Sequence, residues 1–376
     1  MSERFDLNEA LELLKDFTNM DSPSGEKDYT DKFVDRLEAE FSKIGMIVRR
    51  IKQQQVGDFL ECYIGKGDKK ILLLGHTDTV FPSGTASKRP FKKEREVIYG
   101  PGVLDMKGGI VVLLYALKKI IKSLPNSIKL IVFLNSDEEI GSIYSKDYIL
   151  KLSKDAIACL SFEPAKPGTL TVERKGIISF KMTVKGIPAH SGVNYEKGRS
   201  AIEEIARKVC ALYDDIRDME KNVSANVGYI HGGSKVNIVA EHAEAQVEIR
   251  YFNLEKEKEI RGKIEKIVNT TFVDGTHTHI TILSERPPLV ANEGCKKLFE
   301  IAREEAQKLG REIKGRRTGG GGDASFAAIW GIPVLDGLGP EGEDSHTEKE
   351  FVIVESIPFK IELAATTILN IAEGGF

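Results

Sequence analysis

Three apolar runs, residues 71–74, 130–134 and 156–162, each stop at polar, ionisable groups: His76 and Asp78 after the first, Asp137, Glu138 and Glu139 after the second, Glu163 after the third. Runs of this length and composition read as strands buried on both faces, as in a largely parallel sheet covered by helices. In such sheets the chemistry collects at the carboxyl ends of the strands. The chain is therefore expected to fold as α/β, with a rim that gathers an imidazole and several carboxylates. Three acids crowded at the end of one apolar strand are costly unless cations neutralise them.

His76 and Asp78 stand two residues apart and share one face of an extended segment. Such a pair suits a metal, because the imidazole ligates while the carboxylate holds its other ring nitrogen or a second ion. A structural histidine tied to a nearby aspartate is the plain alternative. Two further segments answer the pair. Between Tyr99 and Gly109 glycines force a tight turn, and Asp105 stands at its end, just before an apolar helical stretch over 110–121 whose amino terminus favours a negative group. A loop over 337–347 carries His346. Two imidazoles and four to six carboxylates are the inventory of a two-zinc site with a shared carboxylate.

The order of elements adds a constraint. Residues 6–45 read as two amphipathic helices broken at Ser22-Pro23-Ser24-Gly25, after which strands and helices alternate as far as Glu163. From Gly176 the pattern changes to strand 177–185, helix 200–216, strands 225–231 and 243–252, helix 256–269 and strand 278–284. That βαββαβ order is the ferredoxin-like arrangement. Its strands alternate polar and apolar, as in residues 244–250, so one face of this sheet is polar and the segment reads as an inserted small domain. Arg286-Pro287-Pro288 marks the return, followed by a helix over 293–309, a glycine loop and a long final helix. The expected domains are thus a discontinuous outer one, 1–175 and 287–376, and an inserted one, 176–286. Because Glu163 precedes the insertion and His346 follows it, the polar rim closes only if the outer domain is discontinuous.

Composition bounds the partners. With 376 residues, 30% charged residues and a formal net charge of −3, the chain offers no basic stripe for nucleic acid or an anionic membrane. No apolar run approaches the roughly 20 residues that span a bilayer. Cys62, Cys159, Cys210 and Cys295 are scattered, which points to buried free thiols in a reducing compartment rather than a disulfide framework or thiolate zinc site. The start, Met1-Ser2-Glu3-Arg4-Phe5-Asp6, lacks the apolar core of a signal peptide, so a cytoplasmic location is expected.

The ordered motifs G-P-G-x-x-D-x-K-G-G (100–109), S-D-E-E-x-G-S (136–142), L-S-F-E-P (160–164), G-x-x-A-H-S-G (186–192), R-T-G-G-G-G-D-A-S-F-A-A (317–328) and L-G-P-E-G-E-D-S-H-T (338–347) resemble those of the co-catalytic zinc amidohydrolases. That group includes glutamate carboxypeptidases, aminoacylases, succinyl-diaminopimelate desuccinylases and several di- and tripeptidases. The likeness is greatest to bacterial glutamate carboxypeptidases of the carboxypeptidase G type. The resemblance implies a zinc-exopeptidase catalytic domain with an inserted lid and dimerisation domain. It also implies two Zn2+ per chain: His76 and Glu163 on the first, Glu139 and His346 on the second, and Asp105 bridging both. Cobalt and manganese suit the same donors. Asp78 resembles the acid that orients His76, and Glu138 the general base. A zinc-bound water has a pKa near ~7 rather than ~16, and a neighbouring carboxylate can take its proton as it attacks an amide carbonyl. If the acids lie in extended chain, Glu138 and Glu139 point to opposite sides, so one can ligate while the other faces the water.

Within the inserted domain His190 resembles the family's lid histidine, which in dimeric relatives reaches the opposite subunit's active site, and a homodimer is implied. Asn237 resembles an asparagine that contacts substrate. Arg250 falls where relatives place an arginine that binds the substrate carboxylate, its plain alternative being a solvated strand residue. The loop over 317–323 lacks the Gly-Lys-Ser/Thr ending of a phosphate cradle. Its glycines, Gly320 and Gly321 among them, would instead present backbone N–H groups at the start of a helix over 324–329, a seat for a carboxylate. His277 and His279 read as a solvated strand edge, and His231 and His242 as structural or surface residues. The expected activity is metal-dependent hydrolysis of an amide next to a free α-carboxylate, releasing a carboxyl-terminal glutamate or similar amino acid from a small peptide or N-acyl amino acid. The same machinery would serve an N-acyl-amino-acid deacylase or a dipeptidase, and a catalytically silent binding protein is the rival of another class.

Overall fold

The opening helices follow from helical spacing of apolar side chains. A computed structural model describes residues 6–375; the first five residues, which contribute to the expectation of no signal segment, lie outside it. In Leu7–Thr18 the buried side chains Ala10, Leu11, Leu14 and Phe17 recur every three or four residues, and the Asp6 carboxylate caps the start by accepting from Asn8 N at 2.8 Å. Lys27–Lys43 repeats the pattern with Phe33, Val34, Leu37 and Phe41.

The described chain forms two units. The first runs to Glu173 and takes in Leu289–Thr318 and everything from Gly322; the second is Arg174–Pro288 with Gly319–Gly321. The first unit is built on a six-stranded sheet in the spatial order Ile47–Ile51, Phe59–Ile64, Ile128–Asn135, Lys69–His76, Ala156–Ser161, Val334–Leu335. The first two strands pair antiparallel, as do the second and third, and from the third onward neighbours run parallel. Register places the site. His76 lies opposite Asn135, and Leu74 lies opposite Ser161, so three strands release their next residues at one rim. The runs before those ends, such as Ile71–Leu74, are fully buried because helices cover both faces. Helix Gly109–Ile120 is buried nearly all round and packs against the carboxyl-terminal helix Ser356–Ala372.

A small antiparallel sheet, absent from the sequence reading, joins Lys92–Glu94, Val97–Tyr99, Phe351–Ile353 and Gly342–Glu343. Phe351 pairs with Tyr99, which fixes the segment carrying His346 beside the start of the glycine turn.

The second unit is a four-stranded antiparallel sheet ordered Ser224–Gly232, His242–Tyr251, Gly176–Lys185, His277–Arg286, with helices Ala201–Asp215 and Leu254–Asn269. Ile178, Phe180, Met182 and Val184 alternate into a core shared with Ile205, Leu212, Ile260 and Ile264 of the helices. His277 and His279 lie exposed on an outer strand. Cys62, Cys159 and Cys295 are buried free thiols, whereas Cys210 is exposed on helix Ala201–Asp215, contrary to the expectation for all four. Among the described residues no helix is long and apolar enough to cross a membrane.

Candidate active site

The rim brings His76, Asp105, Glu139, Glu163 and His346 together. His76 Nε2 lies 3.1 Å from Asp105 Oδ1 and 3.8 Å from Glu163 Oε1. His346 Nε2 lies 3.2 Å from Asp105 Oδ2 and 3.2 Å from Glu139 Oε2. Asp105 therefore gives one oxygen to each imidazole. Donor atoms of His76, Asp105 and Glu139 all fall within 4.8 Å of one another.

These spacings decide whether a metal fits. Nitrogen and oxygen donors held about 2.0–2.1 Å from a tetrahedral ion lie about 3.3 Å from one another. The contacts of 3.1, 3.2 and 3.2 Å match that edge, and 3.8 Å lies slightly beyond it. A second observation agrees: Glu139 Oε1 is buried without a hydrogen-bond partner among the described residues. An orphaned buried carboxylate oxygen is costly, and a cation is its natural partner.

The electrostatics describe the same need. Burial pushes the Glu139 carboxyl up to about 8, and the charge of Asp105 adds to it. Hydrogen bonds to Asp105 and Glu139 push His346 up to about 11. Burial opposes a charged His76, yet its hydrogen bonds to Asp105 and Asp78 and the charge of Glu163 raise it well above the ordinary imidazole value. Burial likewise opposes a charged Asp105, but the two imidazoles outweigh it and hold this carboxyl below its usual range. Protons on the imidazoles thus supply positive charge to a cluster of acids that calls for it.

Asp78 positions two of these groups. Its buried carboxylate lies 3.4 Å from His76 Nδ1, which also reaches the Asp78 backbone oxygen at 3.0 Å. It accepts from Ser24 Oγ at 2.7 Å and from the amides of Glu138 and Glu139 at 3.2 and 3.1 Å. Glu138 and Glu139 lie in a single tight turn, Glu138–Ile140, rather than in extended chain, because these two amides bend toward Asp78. Strand alternation therefore does not set the directions of the two acids. Asp105 stands ahead of the helix as expected: its backbone (φ −115°, ψ 97°) is not helical, and helix Gly109–Ile120 starts four residues later. His346 itself has φ +67°, a left-handed conformation uncommon for a non-glycine residue, and is half exposed.

Sequence reasoning missed three supporting residues. Glu350 is buried and accepts from the amides of the Asp105 turn. Met106 Sδ accepts from His76 N at 3.1 Å. Asp323 accepts from Asn135 Nδ2 at 2.6 Å and from Ser142 Oγ, which ties the glycine loop to the strand end and to the turn after Glu139.

In the second unit, the His190 and Asn237 loops are joined. Ser191 N donates to Asn237 O at 3.1 Å and Val239 N to Ala189 O at 2.9 Å, and both His190 and Asn237 are exposed. Arg250 donates from Nε to Glu248 Oε1 and from Nη1 to Gly319 O, both at 2.7 Å. Arg286, passed over in the sequence, pairs in register with Ile177 from one side as Arg250 does from the other. In the glycine segment Gly321 O accepts from Arg174 Nη1 at 2.5 Å, and Gly320 O more distantly at 3.5 Å. The helix beyond it is only Ala324–Ala328, shorter than the spacing predicts and led by the engaged carboxylate of Asp323.

Comparison with known proteins agrees with the fold. Carboxypeptidase G2 of Pseudomonas sp. (strain RS-16) is 32% identical over 375 residues, covering 97% of this chain and 89% of that protein. Succinyl-diaminopimelate desuccinylase of Stenotrophomonas maltophilia (strain R551-3) is 29% identical over 315 residues, covering 78% and 81%. Among solved structures, a tripeptidase from Staphylococcus aureus superposes with a TM-score of 0.78 at 24% identity, covering 99% of this chain and 100% of the other. An M20 family metallo-carboxypeptidase from Sulfolobus solfataricus gives 0.78 at 18% identity over 97% and 99%. The sequence profile described as Peptidase family M20/M25/M40 matches residues 72–370, which runs from the first rim strand to the last helix. The chain belongs to peptidase family M20/M25/M40.

Proposed function

We propose that the chain is a metal-dependent exopeptidase that hydrolyses an amide next to a free α-carboxylate, releasing a carboxyl-terminal glutamate or a similar amino acid. The observation that carries this reading is the Asp105 carboxylate with one oxygen 3.1 Å from His76 and the other 3.2 Å from His346, in a chain 32% identical to carboxypeptidase G2. His76 and Glu163 would hold one ion, Glu139 and His346 a second, and Asp105 both; zinc suits these donors, as do cobalt and manganese. Two such ions would supply the positive charge that lets a water lose its proton near neutral pH and that polarises the scissile carbonyl.

The protein's own groups do the rest. Glu138 takes the proton from the attacking water and returns it to the leaving amine, while Asp78 keeps His76 turned with Nε2 toward Asp105. Arg250, with the Gly320–Gly321 segment and Asn237, engages the carboxylate side of the substrate, and His190 faces the developing oxyanion. By the same reading the protein works in the cytoplasm as a homodimer in which His190 serves the partner's site. The outer strand Ser224–Gly232, with Tyr229 and Ile230 exposed, offers an unpaired edge for that pairing. The match to succinyl-diaminopimelate desuccinylase favours one second reading, an N-acyl-amino-acid deacylase using the same site.

Four outcomes are expected. Glu138→Gln should keep about two ions per chain, since Glu139 is the assigned ligand, and lower turnover at least ~10²-fold; atomic absorption beside an activity assay checks this, and near-normal turnover removes Glu138 as the base. Metal uptake should release protons at neutral pH, because binding needs Glu139 and His346 deprotonated while their pKa values stand near 8 and 11. Apparent affinity should accordingly rise with pH toward and beyond 8, and calorimetry in buffers of different ionisation enthalpy measures the protons; buffer-independent heats contradict the assignment. In sedimentation, the active species should be a dimer, and an active monomer rules out a shared His190. For specificity, Arg250→Ala should lower kcat/KM at least ~30-fold, the low end of the effect of unpairing a charge-assisted contact. Amidating the substrate's carboxylate should harm the unaltered enzyme to a similar degree and the variant little further. Equal cleavage of free and amidated substrates by the unaltered enzyme rejects the carboxypeptidase reading, and a preference for N-acyl amino acids over glutamyl peptides selects the deacylase.

A further inference from the structure

The turn that carries Asp105, Val103–Gly108, is an irregular helical turn broken by a kink at Asp105 and Met106. Gly102 takes a left-handed φ of +69°, and the backbone at Asp105 and Met106 departs from helical values before Gly109–Ile120 begins. No repeating ladder sets these dihedrals. Three of the turn's amides instead donate to a single side chain: Leu104 N and Asp105 N to Glu350 Oε1 at 2.8 and 3.0 Å, and Gly102 N to Glu350 Oε2 at 3.3 Å. Glu350 is fully buried. A carboxylate kept in such a place is held by its donors, and the donors are held by it.

The location of Glu350 along the chain adds a second link. It lies four residues after His346, just before strand Phe351–Ile353, whose pairing to Val97–Tyr99 anchors it. One short segment thus contributes the imidazole that meets Asp105 Oδ2 and the carboxylate that grips the Asp105 backbone. Any slide of that segment moves both together, so the spacing between His346 and Asp105 is preserved. Lys107, buried in the same turn with Nζ donating to Met20 O at 2.6 Å, places a positive charge nearby.

We infer that Glu350 is a positioning residue for the shared acid: it fixes the backbone of Asp105 so that one carboxylate oxygen faces His76 and the other His346. The inference rests on the two-metal reading of the site. Glu350 touches neither ion nor substrate, and its effect is transmitted through the Gly102–Asp105 amides.

The test uses the full chain stripped by chelator and titrated with Zn2+ against a chromophoric competitor, then with Co2+ while the visible absorption is followed. The unaltered chain should bind two ions. Glu350→Ala should raise the dissociation constant of the more weakly held ion at least ~10-fold, as loss of a group that orients a ligand does, and should change the cobalt bands. Glu350→Gln keeps an oxygen for Leu104 and Asp105 but turns an amino group toward the Gly102 N–H, so its loss should be smaller, at least ~3-fold, the scale of one hydrogen bond. Circular dichroism and the melting temperature of the metal-free chains report folding separately. If Glu350 only supports the fold, the variants melt earlier yet bind both ions as the unaltered chain does with the same cobalt spectrum, and that result overturns the inference. Should Glu350→Ala fail to fold, Glu350→Gln alone decides by the same comparison. An unaltered chain that takes up fewer than two ions instead overturns the two-metal reading, and the inference falls with it.

Discussion

The buried carboxylate of Asp78 is the point at which three distant pieces of the first unit meet. It receives Ser24 from the break between the opening helices, turns toward His76 on the strand it follows, and accepts the amides of Glu138 and Glu139 from the neighbouring strand's exit. Burying a charge this fully is tolerable only because several donors surround it. Two of those donors are backbone amides of the turn that carries the acids, so the cost of burying Asp78 is offset in part by bonds that shape the site. Burial opposes the charge on Asp78, and the hydrogen bond from His76 prevails and keeps its carboxyl below the usual range.

Around that anchor the site is a matter of register. Parallel pairing of Lys69–His76 with Ile128–Asn135 and Ala156–Ser161 makes three strands end together, so His76, the Glu138–Glu139 turn and Glu163 arrive side by side without any long reach. Asn135 reinforces the alignment: its backbone oxygen accepts from Thr77 N and its side chain donates to Asp323. A one-residue slip would send these side chains to the opposite faces of the sheet. The core beneath, from Ile71 to Leu74 and across Leu130 to Leu134, is tightly buried and resists such a slip.

Local pattern was legible in the sequence, and long-range support was not. The alternation over residues 177–185 appears as strand Gly176–Lys185, and the apolar spacing over 256–269 as helix Leu254–Asn269, because each signal repeats within one element. The ligand candidates were legible for a related reason, since acids and imidazoles at the ends of apolar runs stand out against their surroundings. Glu350 was not, because Glu348-Lys349-Glu350 has the look of a solvated charged loop and its partners at 102–105 lie far away in the chain. The short strands Gly342–Glu343 and Val334–Leu335 carry too few residues to show a period. Arg286 sits beside two prolines that marked a boundary, and its relation to Arg250 exists only across strands. The turn at Glu138 was not legible because the hydrogen bond from its amide to Asp78, sixty residues earlier, overrides the extended habit of a strand end.

The long detour of the chain through the second unit has a consequence for synthesis. His76, Asp105, Glu139 and Glu163 are all translated before the second unit, whereas His346 is translated after it. Until then the chain lacks the imidazole that stands against both Asp105 and Glu139 in the finished protein. Four of the five rim residues are therefore translated long before His346. A chain that stops short of residue 346 carries these acids without that imidazole.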